Sequence, residues 1–114
     1  MTIVYGIPNC DTVKKARAWL AAHGQAYTFH DFKKLGVPPQ ALARWMQAAG
    51  WEKLLNRKGT TWRALDRQSQ ATAVDAAGAQ SMMLAHPSLI KRPVVDWGDG
   101  ITVGFDAQDW TDRF

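Results

Sequence analysis

Residues 3–13 read IVYGIPNCDTV, an apolar run that leads through a Pro-Asn pair to a cysteine. The residues up to Gly6 have the composition of a buried strand, and Asp11 and Thr12 are suited to open a helix. Cys10 is therefore predicted at a helix N-terminus, where unpaired N–H groups and the helix dipole favour a thiolate over a thiol. The alternative is a small buried apolar residue, the common environment of a lone cysteine. Its position favours the reactive interpretation.

The residues that follow predict a strand, helix and strand unit. Apolar side chains recur at helical spacing over residues 13–20, and the helix is expected to end at His23. Alternation over residues 27–32 then predicts a second strand, parallel to the first through a right-handed crossover. Cys10 would lie at the carboxyl end of the first strand, the usual place for ligands in open α/β sheets.

The middle of the chain, about residues 38–86, is predicted to be helical. Its periodic apolar residues are interrupted by proline, glycine and polar residues, which suggests several helices rather than one. Among them, Ser69 is expected to cap a helix that runs through Ala77. Gly78 is expected to separate that helix from the next.

The end of the chain predicts a return to β structure. Residues 94–103 place apolar runs on both sides of a Gly-Asp-Gly turn, as in a hairpin, and Asp106 can cap a last helix. The predicted fold class is α/β and thioredoxin-like. It comprises a four-stranded mixed sheet, flanking helices and a helical insertion within one domain, residues 1–114.

Composition narrows the possible partners. Fourteen lysines and arginines against ten acids give a net charge of +4, but the cations form short groups with acids between them. A solvated surface is favoured over a nucleic-acid groove, and the surplus can attract anionic thiols such as glutathione. The start of the chain lacks a signal-peptide pattern, and no apolar run approaches the ~20 residues of a membrane helix. We therefore expect a cytoplasmic protein without membrane contact.

The histidines offer little support for other chemistry. They occur at positions 23, 30 and 86, without ligand spacing to each other or to Cys10, so no metal site is expected. A papain-like Cys–His pair is a further alternative. It is less favoured because the strand and helix pattern already accounts for the position of the cysteine.

Three stretches, residues 5–16, 54–61 and 89–95, resemble the arsenate reductase (ArsC)/Spx family. The resemblance spans essentially the whole chain, in order and with similar spacing, and is greatest to the small YffB proteins of that family. It implies that Cys10 is the nucleophile and that Arg92 helps to hold an oxyanion beside it. It also implies that Pro93 is the cis-proline of thioredoxin-like folds, where the preceding backbone pairs with a thiol-containing partner.

Further positions are candidates for binding substrate, glutathione or an anion: Asn9, Asp11, Thr12, Lys14 and Arg57. The first three would line the start of the helix, and Lys14 would add a cation near the thiol. An ungapped match places Asn56 at the position of the reductase arginine, and Arg57 follows one residue later. No cation occurs in residues 103–107, where the reductases carry another arginine. A tetrahedral oxyanion prefers several charge-assisted donors, so these departures weaken the arsenate interpretation.

The chain has no C-x-x-C motif and no second cysteine, so any catalytic cycle needs an external thiol. The expected function is a glutathione-dependent thiol-disulfide reductase, which is an oxidoreductase. It would hold no bound cofactor, use glutathione as co-substrate and act as a monomer on an oxidised thiol, with glutaredoxin as a candidate partner. The alternatives are arsenate reduction by the same cysteine, a Spx-like regulator that binds RNA polymerase, and a non-catalytic interaction module.

Overall fold

The computed structural model describes residues 1–114, and four short strands in it form one mixed sheet in the order β2-β1-β3-β4. The strands are β1 Ile3–Gly6, β2 Thr28–Asp31, β3 Val94–Asp96 and β4 Ile101–Val103. β1 runs parallel to β2, with Gly6 beside Asp31, and antiparallel to β3, with Tyr5 beside Val94. β3 and β4 form the hairpin. The predicted α/β fold with a four-stranded mixed sheet is confirmed.

Eight α-helices and one 3₁₀ turn connect and flank the strands. They are α1 Asp11–Ala22, α2 Phe32–Leu35, α3 Pro39–Ala49, α4 Trp51–Leu54, α5 Thr60–Ala64, α6 Arg67–Thr72, α7 Ala76–Ala85, the 3₁₀ turn Pro87–Leu89 and α8 Ala107–Arg113. None of these helices combines the length and the apolar composition needed to cross a membrane.

The chain divides into two compact units, and we describe each by itself. Residues 1–35 and 92–114 form the first, which we call the sheet unit. Residues 36–91 form the second, which we call the helical unit. The sheet unit contains all four strands with α1, α2 and α8, and the helical unit contains α3 to α7 and the 3₁₀ turn.

The core of the sheet unit lies where α1 and α8 cover one face of the sheet. Val4 of β1, Leu20 of α1 and Val95 of β3 are fully buried together. Trp110 of α8 joins them, and three aromatic rings meet it edge-on, those of Trp19, Trp97 and Phe105 at 5.5, 4.9 and 4.7 Å between centroids. Such edge-to-face pairs add to the stabilisation from apolar burial, so α1 is firmly fixed against β1.

The caps of the helical unit differ from the prediction. Asp66 caps α6, its carboxylate accepting the Ser69 N–H at 2.8 Å, and Asp75 caps α7, accepting the Gly78 N–H at 2.8 Å. The expectation that Ser69 caps a helix ending at Ala77 is therefore wrong, as is a break at Gly78. Each carboxylate accepts from the third residue of its helix, which is the standard N-cap arrangement. The actual break falls between Thr72 and Ala76.

Candidate active site

Cys10 lies where the end of β1 turns into α1. Its N–H donates to the Ile7 carbonyl at 3.2 Å, which closes a tight turn after the strand. The residue has an extended backbone, with φ −91° and ψ 126°, and is the N-cap of α1. Its carbonyl accepts the Lys14 N–H at 2.9 Å, the first hydrogen bond of the helix. The cysteine is half-buried, at the position that the sequence predicts.

Several groups change the acidity of this thiol in opposite directions. Burial raises the pKa of Cys10, but the backbone N–H of Val13, the hydrogen bond and charge of Arg92, and the Thr12 N–H together lower it below the ordinary value. The cysteine side chain forms no conventional capping hydrogen bond. The N–H groups of the first turn and the Arg92 guanidinium thus favour the negatively charged form of the sulfur.

The sheet explains why Arg92 lies next to Cys10 despite their separation in sequence. β3 runs antiparallel to β1 with Tyr5 beside Val94, so the residues just before β3 lie beside those just after β1. Arg92 precedes that strand by two positions and is half-buried. The peptide bond between Arg92 and Pro93 is cis, the geometry that the family resemblance implies for this proline.

Two residues that sequence reasoning did not select help to position the thiol. Val13 is the third residue of α1, and its N–H is the foremost group that lowers the pKa of Cys10. Its fully buried side chain packs on Gly6, where a Cβ would lie 2.8 Å from Val13 Cγ2. The helix position of Val13 could have been recognised, since capping side chains accept from the second or third residue. The close approach of Gly6 leaves no pattern in the sequence.

The remaining candidates next to Cys10 are solvent-exposed. Asn9 is exposed, and its Oδ1 accepts a hydrogen bond from Lys33 Nζ at 3.5 Å. Thr12 is exposed as well, and it acts on the thiol through its backbone. Asp11 and Lys14 also have exposed side chains, and neither is among the groups that shift the pKa of Cys10.

Arg57 belongs to the helical unit and has structural contacts there. Its guanidinium carbon lies 5.6 Å from the centre of a Trp51 ring and 5.8 Å from that of Trp62. One of its terminal nitrogens donates to the Ala73 carbonyl at 3.4 Å. These distances are typical of cation–π contacts, so the side chain joins α4, α5 and the end of α6.

A four-stranded mixed sheet, with Cys10 as the N-cap residue of its first helix and a cis-proline just before its third strand, is the arrangement of a thioredoxin-like protein. The chain belongs to the ArsC family, whose sequence profile matches residues 5–113. Membership of this family supports the classification of the chain as an oxidoreductase. Streptococcal regulators named Spx are also relatives of the chain, and the resemblance to the ArsC/Spx family is thereby confirmed.

Three similar proteins cover nearly the whole chain. An uncharacterised protein of Haemophilus influenzae is 39% identical over 114 residues, which is 100% of this chain and 99% of the relative. The solved structure of a YffB protein is 46% identical with a TM-score of 0.94, covering 98% of this chain and 97% of the other. An arsenate reductase (ArsC) related protein from Brucella melitensis is 48% identical with a TM-score of 0.77, covering 99% and 93%.

Proposed function

We propose that the protein is a glutathione-dependent thiol-disulfide reductase with Cys10 as its single nucleophile. The observation that carries the proposal is the position of Cys10 as the N-cap residue of α1 beside Arg92. Burial there raises the pKa of Cys10, but the Val13 N–H, Arg92 and the Thr12 N–H lower it below the ordinary value. A larger thiolate fraction speeds attack on a disulfide sulfur. The half-buried position leaves the sulfur reachable by a substrate.

In the first step the Cys10 thiolate attacks one sulfur of a substrate disulfide. A mixed disulfide forms, and the second substrate sulfur leaves as a thiolate that takes a proton from water. The thiolate of one glutathione then attacks the Cys10 sulfur of the mixed disulfide, which releases the first substrate sulfur as a thiolate and leaves a disulfide between Cys10 and glutathione. A second glutathione thiolate attacks the glutathione sulfur of that disulfide, which releases the Cys10 thiolate and forms oxidised glutathione. Two glutathione molecules thus supply the two electrons that reduce one disulfide. External thiols are required because the chain has no second cysteine.

Pro93 and Arg92 would guide the substrate in this scheme. By the family resemblance, the backbone of residue 92, which precedes the cis-proline, would pair with the extended chain of a thiol-containing partner. Arg92 would further stabilise the leaving Cys10 thiolate when the mixed disulfide is cleaved. This second role uses the same charge that lowers the pKa in the free protein.

Arsenate reduction is the second candidate, and it is favoured by the position of Arg92 at Cys10. A guanidinium there can hold an oxyanion as well as a thiolate. In that reaction Cys10 and one glutathione would each give one electron to arsenate, one arsenate oxygen would leave as water, and arsenite and a disulfide between Cys10 and glutathione would form. A second glutathione would cleave that disulfide, restoring Cys10 and forming oxidised glutathione. The absence of a cation in residues 103–107 makes this reaction the less favoured one.

The experiment begins with oxidised glutathione and mass spectrometry. The wild-type protein should gain one glutathione on Cys10, and reduced glutathione should remove it. Turnover of hydroxyethyl disulfide and of arsenate is then measured with glutathione as reductant, with and without glutaredoxin. Cys10→Ser is the negative control, and Ser69→Ala, in the helical unit, is the control for an ordinary substitution.

Disulfide turnover that needs Cys10 and exceeds arsenate turnover is the expected result. Equal disulfide turnover in Cys10→Ser and wild type would overturn the proposal. Arsenate turnover well above disulfide turnover would favour the second candidate. Turnover that requires glutaredoxin would support Cys10 as the nucleophile and would identify glutaredoxin, rather than glutathione alone, as the thiol that regenerates it.

A further inference from the structure

A second cation lies beside the loop that carries Cys10. Lys33, in α2, donates from Nζ to Asn9 Oδ1 at 3.5 Å, and Asn9 directly precedes the cysteine. The two residues are 24 positions apart in the chain but belong to the same sheet unit. This contact brings the Lys33 ammonium group next to the loop that carries Cys10. Lys33 is not among the groups that shift the pKa of the thiol.

The parallel pairing of β1 and β2 accounts for this position. Gly6 and Asp31 are partners at the carboxyl ends of the two strands, so the loop after β1 and the helix after β2 begin side by side. Asp31 Oδ1 accepts the Lys33 N–H at 2.8 Å, which fixes the backbone where α2 starts. Ligands of open α/β sheets bind at the carboxyl ends of strands, where Lys33 is found.

The charge of Lys33 is available to a ligand. Its side chain is exposed, it forms no salt bridge, and an ammonium group with three donors uses one of them on Asn9. Arg92 acts directly on the sulfur, so the two cations have separate positions around Cys10. A ligand with a thiol and a carboxylate can therefore meet Cys10 with one group and Lys33 with the other.

We propose that Lys33 binds a carboxylate of the thiol that reacts at Cys10, and so makes the site selective for anionic thiols. Asn9 holds the lysine side chain at the loop that carries the reacting sulfur. This inference rests on the proposed thiol-disulfide chemistry and adds to it the charge of the preferred thiol. The contact is a recognition contact, so it should act on thiol binding and leave the acidity of Cys10 unchanged.

The test uses a Cys10 adduct that is itself neutral. The protein is converted to the mixed disulfide with 2-mercaptoethanol, and loss of this adduct is followed by mass spectrometry with three attacking thiols. Glutathione and 3-mercaptopropionate carry carboxylates, and 2-mercaptoethanol bearing an isotope label carries no charge. Wild type is compared with Lys33→Gln, with Lys33→Arg and with Lys34→Gln, which removes the same charge from the neighbouring exposed position.

Lys33→Gln should slow the reaction of both carboxylate thiols about fivefold at low salt and leave the neutral thiol unaffected. Lys33→Arg should retain most of the preference, and Lys34→Gln should behave as wild type. Since the contact is exposed, ~0.5 M KCl should reduce the difference between wild type and Lys33→Gln. The pH at which Cys10 is half-alkylated should be the same in wild type and Lys33→Gln.

Equal slowing of charged and neutral thiols by Lys33→Gln would overturn the inference and assign Lys33 a structural role. Equal effects of Lys33→Gln and Lys34→Gln would also overturn the inference, because the thiols would then respond to net charge rather than to a lysine at position 33. A wild-type adduct that no thiol removes would contradict the proposed function itself, and the two failures are thereby distinguished.

Discussion

Gly6, the last residue of β1, lies against the side chain of Val13 on the first turn of α1. A Cβ at position 6 would lie 2.8 Å from Val13 Cγ2, closer than packed carbon atoms approach. The Val13 N–H is also the foremost group that lowers the pKa of Cys10. The absence of a side chain at Gly6 therefore sets the distance between the strand and the helix that activates the thiol.

Gly6→Ala should raise the pKa of Cys10 and destabilise the protein. The added methyl pushes Val13 away, which shifts the first turn of α1 and weakens the favourable effect of its N–H groups on the thiolate. Overpacking of this kind costs ~1–3 kcal/mol. Alkylation of Cys10 by iodoacetamide as a function of pH measures the first effect, and urea denaturation measures the second.

Gly100→Ala is the matched control for this substitution. Its Cβ would lie 3.6 Å from Arg113 Nη2, an ordinary contact, and Gly100 is in the same sheet unit. The control should leave the alkylation profile unchanged. An unchanged profile in Gly6→Ala as well would mean that the strand-to-helix distance does not set the acidity of Cys10.

Arg92→Met should raise the pKa of Cys10 and lower disulfide turnover at neutral pH. The guanidinium favours the thiolate by a hydrogen bond and by its charge, and methionine retains much of the volume without either. Loss of one charge-assisted hydrogen bond predicts a fall of about tenfold in turnover. The pH profile of alkylation separates a change in acidity from a loss of substrate binding.

Lys91→Met removes one positive charge from the neighbouring residue, which is exposed, and is the control for net charge. It should leave the alkylation profile of Cys10 as in wild type. A shift as large as that of Arg92→Met would show that overall charge, rather than the contact with Arg92, controls the thiol.

The site divides into a part that the sequence reveals and a part that it does not. Cys10 was predictable because a strand, a turn and a helix-opening residue follow one another within a few positions of it. The contact with Arg92 depends on β3 pairing antiparallel with β1, which no local pattern of residues specifies. Arg92 can be identified as a site residue from the family resemblance. Lys33 can be identified only from the structure, through the contact of its side chain with Asn9.

The fold divides in the same way. Alternation and turn residues predicted the strands and the hairpin, because these signals lie within short stretches. The helix ends of the helical unit are harder to predict: Asp66 and Asp75 cap α6 and α7, whereas the sequence favours a cap at Ser69 and a break at Gly78. A glycine usually indicates a helix end, and only the tertiary structure shows that Gly78 lies within α7 because another backbone segment approaches it.

Gly78→Ala should therefore destabilise the protein, although alanine is normally the better helix former by ~1 kcal/mol. A Cβ at this position would overlap the Thr72 carbonyl oxygen at the end of α6. A backbone group cannot rotate away as a side chain can, so the expected loss is ~1–3 kcal/mol in the free energy of unfolding. Urea denaturation of Gly78→Ala and of Ser81→Ala, an exposed position in the same helix, measures it. A more stable Gly78→Ala protein would contradict the close approach of α6 and α7.

The lowered pKa of Cys10 should make stability depend on pH through this one residue. Since the folded protein favours the thiolate, the unfolded chain binds more protons between the folded pKa and the unfolded value of ~8.5, and stability rises with pH in that window. The contribution is fully present above the unfolded pKa and is lost as the pH falls through the folded pKa. Urea denaturation over a pH series should therefore show wild type gaining stability relative to Cys10→Ser as the pH rises. A difference between the two proteins that is constant with pH would mean that folding does not favour the thiolate.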